Sequence, residues 1–299
     1  MKTEIIDKKL TGGADPNDFE TSLKSYKGKL VTYAKEYGWV LCVGTGTSKG
    51  VFPDWNELAK ELVKPTSLAC CDAQIDAFLR DFGPLALIQA VRNDQNKPPS
   101  KKEDLDNWMA GHLSDTMFKR LRSCTPKKEW PIIAKALTLL KPFGLKVKEW
   151  SDFKDLICGI GGTSAPAIAE AISKVIGTGK APKAIISFNA EPLLFALINC
   201  YYGLKKQKVL NDNTVQILDM LTHDLIARKP GRIPYYYVHG ALKVPGGEKH
   251  FNGSVSPGKL VFTENQYLNL ANSVYSWQSA TFFSQLLHHR FVFVTCYGL

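Results

Sequence analysis

The stretch Trp39–Val63, WVLCVGTGTSKGVFPDWNELAKELV, decides how the rest of the chain reads. Trp39 to Val43 is a compact apolar run closed by Gly44; a short apolar run bounded by glycine reads as a buried strand. From Asp54 to Val63, Leu58, Leu62 and Val63 recur at helical spacing, and Asp54 with Glu57 makes a D-x-x-E capping box that starts the helix. Between strand and helix, Gly44, Thr45, Gly46, Thr47 and Ser48 form a loop rich in amides and hydroxyls. Glycines there allow a tight turn and close approach to a pyrophosphate, and the next helix N-terminus favours negative charge. A lone GxG is also what a plain tight turn looks like. It is neither GxGxxG nor a Walker loop, which disfavours ordinary dehydrogenases and kinases.

Working outward from this unit, residues 1–28 are polar and weakly periodic and read as an N-terminal arm, with the folded domain over 29–299. From about 69 to 150, segments such as AQIDAFLRDF, EDLDNWMAGHLSDTMFKRLRS and WPIIAKALTLLKPF carry apolar residues three or four apart between proline breaks. They predict a mostly helical insertion. GIGGTSAPAIAEAISKVIGTGK (159–180) reads as a loop and an amphipathic helix stopped by Gly177 and Gly179. Further strands are expected at Ala184–Phe188, Tyr235–Val238, Leu260–Phe262 and Phe291–Val294, and helices through LLFALINCYYG, around Val215–Ala227 and at Trp277–His288. Strands alternating with helices predict an α/β fold: a Rossmann-like, doubly wound parallel sheet with the helical insertion. The chain stops directly after an apolar strand, which predicts continuation into a C-terminal region.

Composition narrows the function classes. With 299 residues, 44% hydrophobic and 22% charged, the chain has globular usage. No apolar run reaches the roughly 18 residues of a membrane span, and the start lacks the apolar core of a secretory signal, so a cytoplasmic protein is expected. Seven scattered cysteines without a CxxC pair predict reduced thiols and no metal site. The net charge of +10 gathers between Lys97 and Lys154. Nucleic-acid binding is one reading of it; a solvated helical surface is the simpler one.

Two further residues carry chemical promise. Asn189 directly follows the apolar run AIISF, and strand C-termini of an open parallel sheet face the ligand crevice. An amide there would grip a ribose or a water; it would equally serve as the cap of the next helix. His239, in YYYVHGALK, ends another apolar run with Gly240 behind it. Imidazole is the natural base near neutral pH, although a lone histidine is more commonly structural.

Taken in order, these pieces resemble the sirtuin superfamily, and most closely the sirtuin-like NADases of bacterial antiphage defence. Gly44-Thr45-Gly46-Thr47-Ser48 is similar to the family's GAG loop, Pro53-Asp54-Trp55 to its proline-containing entry to the next helix, and Phe188-Asn189-Ala190-Glu191 to its Thr-Asn-Tyr-Asp segment. His239-Gly240 resembles the catalytic His-Gly, Val261–Tyr267 the stretch after it, and Val294–Leu299 the closing Gly-Tyr-Ser/Gly-Leu. Alanine follows Asn189 where the family has an aromatic, Glu191 replaces aspartate, Thr45 replaces alanine and Cys296 replaces glycine. The resemblance implies NAD as substrate with no metal, Asn189 and His239 as catalytic residues, and nucleotide contacts from Gly44 to Ser48, Asp54, Trp55, Ser187, Glu191, Tyr297 and Gly298. It implies NAD+ glycohydrolase activity in abortive infection, gated by a homo-oligomer, a regulatory domain or a phage-sensing partner. NAD-dependent deacylation or ADP-ribosyl transfer, and a non-catalytic NAD sensor, are the alternatives.

Overall fold

In strand β1 (Trp39–Val43), Val40 and Cys42 join one apolar cluster while Leu41 and Val43 join another, so successive side chains enter opposite sides of a sheet. A computed structural model of the chain describes residues 28, 29, 31, 32, 36–94, 102–138, 146–210, 217–222, 231–246, 260–273 and 276–294. After β1 come helices α1 (Trp55–Val63), α2 (Asp72–Asn93), α3 (Lys102–Cys124), α4 (Trp130–Thr138), α5 (Val147–Ile160) and α6 (Ala165–Val175). Then follow β2 (Ala184–Ser187), α7 (Leu193–Leu210), β3 (Leu218–Leu221), β4 (Ile233–Tyr237), α8 (Glu264–Ala271), α9 (Trp277–His288) and β5 (Arg290–Val294).

The sheet is small and wholly parallel, in the order β3-β4-β2-β1-β5. Because all its strands run the same way, the C-terminal ends of β1, β2 and β4 open on one edge, where the glycine loop, Asn189 and His239 emerge. Leu41, Ile185, Tyr235 and Tyr237 share one continuous core with residues from α1 to α7. Val40, Ile186, Tyr236 and Val238 form a second cluster, which Trp277 and Phe282 of α9 cover. Full burial of side chains such as Leu41 and Ile185 contributes about 1.5–3 kcal/mol each. Alanines 165 and 169 let α6 lie closely against α7.

Two expected elements are different. The segment around Val215–Ala227 has apolar residues at helical spacing, yet its described part is β3, which pairs in parallel with β4 from Leu218↔Ile233 to Leu221↔Tyr236. Pairing with a sheet edge outweighs a short helical pattern. Leu260–Phe262, expected as a strand, instead runs without sheet pairing into α8, which begins at the capping box of Thr263 and Gln266. The segment's tie to the sheet edge is the Val261 amide, which donates to the His239 carbonyl.

Helix α2 breaks at Gly83, whose φ of +80° lies in the left-handed region, and Pro84 follows. Both residues interrupt a helical ladder. The break swings Pro84 and Leu85 toward the edge where the three strand ends emerge. Cys42 and Cys200 are buried thiols, as their apolar runs predict, whereas Cys70, Cys71, Cys124 and Cys158 are exposed. No helix among the described residues is long and apolar enough to cross a membrane.

Candidate functional site

The glycine loop closes on itself first. Thr45–Thr47 make a single 3-10 turn, with the Thr47 amide and hydroxyl both donating to the Gly44 carbonyl. The Ser48 hydroxyl donates back to the Thr45 carbonyl. Thr47 and Ser48 are therefore buried and turned inward, leaving Thr45 and Gly46 on the open side. Neither Gly44 nor Gly46 has positive φ; the strained position of the loop is Gly50, at φ +93°. A β-carbon there would stand 2.5 Å from the Gly161 carbonyl oxygen. The Thr163 hydroxyl, from the same neighbouring turn, donates to the Thr47 carbonyl at 2.6 Å. The 159–164 loop thus buttresses the glycine loop from behind. Gly50→Ala is expected to cost about 2–3 kcal/mol through left-handed strain and the backbone clash; an unchanged melting temperature would contradict that.

Helix α1 starts at the open side. The Asp54 carboxylate accepts from the Glu57 amide, and the Glu57 carboxylate accepts from the Asp54 amide. This is the capping box read in the sequence. Trp55, the first helical residue, packs its ring on Phe262 at 5.2 Å and on His239 at 6.2 Å.

His239 sits in an aromatic cage of Trp55, Phe188 and Tyr267, with ring centroids 5.7–6.3 Å away. It is 8% exposed, and its Nδ1 has no hydrogen-bond partner among the described residues. Burial drives its pKa down to about 4, opposed by the Phe188 carbonyl, which favours the protonated ring. At neutral pH the imidazole is uncharged.

A cavity of about 560 Å³ lies between this ring and the glycine loop. Of the residues named from the sequence, Thr45, Gly46, Asp54, Trp55 and His239 line it. Lys49, Asn56, Pro84, Leu85, Val261 and Tyr267 complete it. Lys49 adds a cation beside the loop, 3.6 Å from Asp54. Its place directly after Ser48 was a usable signal; nothing local pointed to Pro84 or Leu85 beyond the Gly-Pro break.

Asn189 lies behind the loop, not on that cavity. It is 4% exposed and lines a smaller recess of about 10 Å³ with Ala190 and Glu191, bounded by Thr45, Asp54 and Trp55. These three residues wall both spaces. The Asn189 Nδ2 donates to the Gly44 carbonyl at 3.0 Å, Thr47 Oγ1 at 3.1 Å, Ser48 Oγ at 3.4 Å and Glu191 Oε1 at 3.0 Å. It does not cap α7; the Glu191 carboxylate does that, accepting from the Leu193 amide at 2.6 Å. Ser187 is fully buried and lines neither space; its hydroxyl exchanges hydrogen bonds with the Asn189 backbone. Tyr297 and Gly298 lie outside the described residues.

No protein-family model matches the chain. No curated protein matches it either. A neutral imidazole, a glycine loop presenting Thr45 and Gly46 and a lysine around one small-molecule-sized space suit an anionic ligand with an uncharged or cationic head. Among the described residues no group of three or more His, Cys, Asp or Glu could hold a metal ion.

Proposed function

We propose that the chain is a Rossmann-like, sirtuin-like NAD+ glycohydrolase, cleaving NAD+ with water to nicotinamide, ADP-ribose and a proton. The observation that carries this reading is the neutral His239 facing the glycine loop across a cavity of about 560 Å³. The loop amides at Thr45 and Gly46, with Lys49 and the start of α1, suit the diphosphate. The aromatic cage suits the nicotinamide and its ribose, because a positively charged imidazole would repel the cationic ring that NAD+ carries.

Cleavage passes through an oxocarbenium-like state, so the site must hold the ribose, exclude bulk water and admit one attacking molecule. Water bonded to the anomeric carbon becomes strongly acidic. A base as weak as the buried His239 is then sufficient to take its proton, while Asn189 would hold the ribose from the adjoining recess, which shares Thr45, Asp54 and Trp55 with the cavity. Such an activity would deplete NAD in antiphage defence, with a homo-oligomer, a regulatory domain or a phage-sensing partner as its gate.

The test is incubation of the full chain with NAD+, with chromatography of the products. Nicotinamide and ADP-ribose in equal amounts support hydrolysis; O-acyl-ADP-ribose or ADP-ribosylated protein would move the reading to acyl or ADP-ribosyl transfer. A second reading, a non-catalytic NAD sensor, draws on the burial of Asn189 behind the loop. Tight NAD+ binding without products over hours would select it.

A further inference from the structure

We propose that Glu191 is the positioning residue of this site, fixing the Asn189 amide so that its oxygen, and not its nitrogen, is what a ribose hydroxyl meets. The inference rests on the reading of Asn189 as the ribose-holding residue. Its physical basis is the asymmetry of the hydrogen bonds around that amide. Two of the four acceptors about Nδ2, the Gly44 carbonyl and the Glu191 carboxylate, have no hydrogen to give. A flipped amide would press Oδ1 against both. Thr47 cannot rescue the flip, because its hydroxyl already donates to Gly44. Oδ1 is thereby left as a buried acceptor without a partner among the described residues. A buried orphan acceptor is costly, and a donating ligand hydroxyl would relieve it.

Glu191 holds the arrangement from three sides. Its Oε1 receives Asn189, its Oε2 receives the Leu193 amide at the start of α7, and the Ser48 side chain of the glycine loop faces it. One carboxylate therefore ties the end of β2, the loop and the following helix together. The groups facing it are Ser48 from the loop, Asn189 from the strand end, the first turn of α7, and the phenols of Tyr235 and Tyr237 from β4. No lysine, arginine or histidine forms an ion pair with it among the described residues. Burial raises its pKa to about 7, against the hydrogen bonds from the Leu193 amide and Asn189, which favour the anion. The anion accepts only and enforces the amide orientation. The protonated acid also donates, and relaxes it.

The sign follows from linkage. A carboxyl whose folded pKa is raised above its unfolded value contributes stability that is complete below about pH 4.5 and lost as pH rises through about 7. Ligand binding runs the other way, since the oriented amide belongs to the anion. The experiment compares wild type with Glu191→Gln by calorimetry with ADP-ribose, by kcat and KM for NAD+, and by melting, each across about pH 5.5–8.5. Wild-type affinity is expected to rise about fivefold to tenfold between pH 6 and 8, and the variant to be flat and weaker, most at pH 8. The melting temperature of Glu191→Gln should gain on wild type as pH rises. A variant that keeps the wild-type pH dependence of melting or of binding overturns the proposal. If the variant does not fold, pH-independent ADP-ribose binding by wild type overturns it. If the protein releases no nicotinamide, hydrolysis fails while the melting and ADP-ribose measurements still decide the role of Glu191.

Discussion

Alanine at His239 is expected to slow nicotinamide release from NAD+ by about 10²–10⁴-fold, the usual loss on removing a general base. The melting temperature at pH 7 should stay within about 3 °C of wild type, because the ring borders the cavity and its buried Nδ1 has no partner among the described residues, so that the loss is confined to the Phe188 carbonyl contact and the ring packing. Nicotinamide release within about threefold of wild type would remove His239 from the chemistry. The same residue predicts a pH signature. Its folded pKa of about 4 lies below the ordinary 6.5, so the unfolded chain takes up the proton first as pH falls. The stability this neutral ring supplies is complete above about pH 6.5 and lost on the way down to about 4. His239→Ala should therefore gain on wild type in melting temperature near pH 5. In kcat/KM the limb belonging to the imidazole should fall near pH 4, not 6.5.

His239 and Glu191 bound the pH range of greatest stability from opposite directions. One buried group resists protonation and penalises acid; the other resists ionisation and penalises base. A carboxyl and an imidazole with pKa values pushed apart in one neighbourhood are typical of sites that move protons.

How much of this was legible in the sequence follows from how local each cause is. The strand and the capped helix within Trp39 to Val63 are set by residues within a few positions of one another, and they stand as read. So does the capping box of Asp54 and Glu57. β3 was not legible, because the partner that makes Leu218–Leu221 a strand is β4, a dozen or more residues later. The burial of Asn189 was hidden for the same reason. Its position after β2 is local, but its direction is set by Gly44 and Thr47, more than 140 residues earlier in the chain. Gly50 is the clearest case. Its sequence neighbours give no hint of the Gly161 carbonyl that forbids a β-carbon there. The cavity wall from Pro84 and Leu85 likewise depends on where a broken helix is carried by packing.

The most severe single change in the chain's site should be Asn189→Asp, although it swaps one atom for another of similar size. The aspartate cannot donate, so the Gly44 carbonyl and the Thr47 and Ser48 hydroxyls lose a shared donor. Worse, the new oxygen would stand about 3 Å from Glu191 Oε1, where the amide nitrogen now sits at 3.0 Å. Two buried carboxyls at that distance cannot both ionise and must share a proton. Breaking a buried charged arrangement of this kind costs about 3–5 kcal/mol. For a domain of this size that lowers the melting temperature by about 6–12 °C, with the loss growing as pH rises. Asn189→Ala should be milder, since it leaves the donor missing without adding a charge. Adding Glu191→Gln to Asn189→Asp should recover part of the loss, because the glutamine amide can donate to the new carboxylate. The coupling between the two positions, read as a double-mutant cycle, is expected at about 1–3 kcal/mol. Additive effects of the two substitutions would mean that the amide and the carboxylate do not hold one another, and the glycine loop would need another anchor.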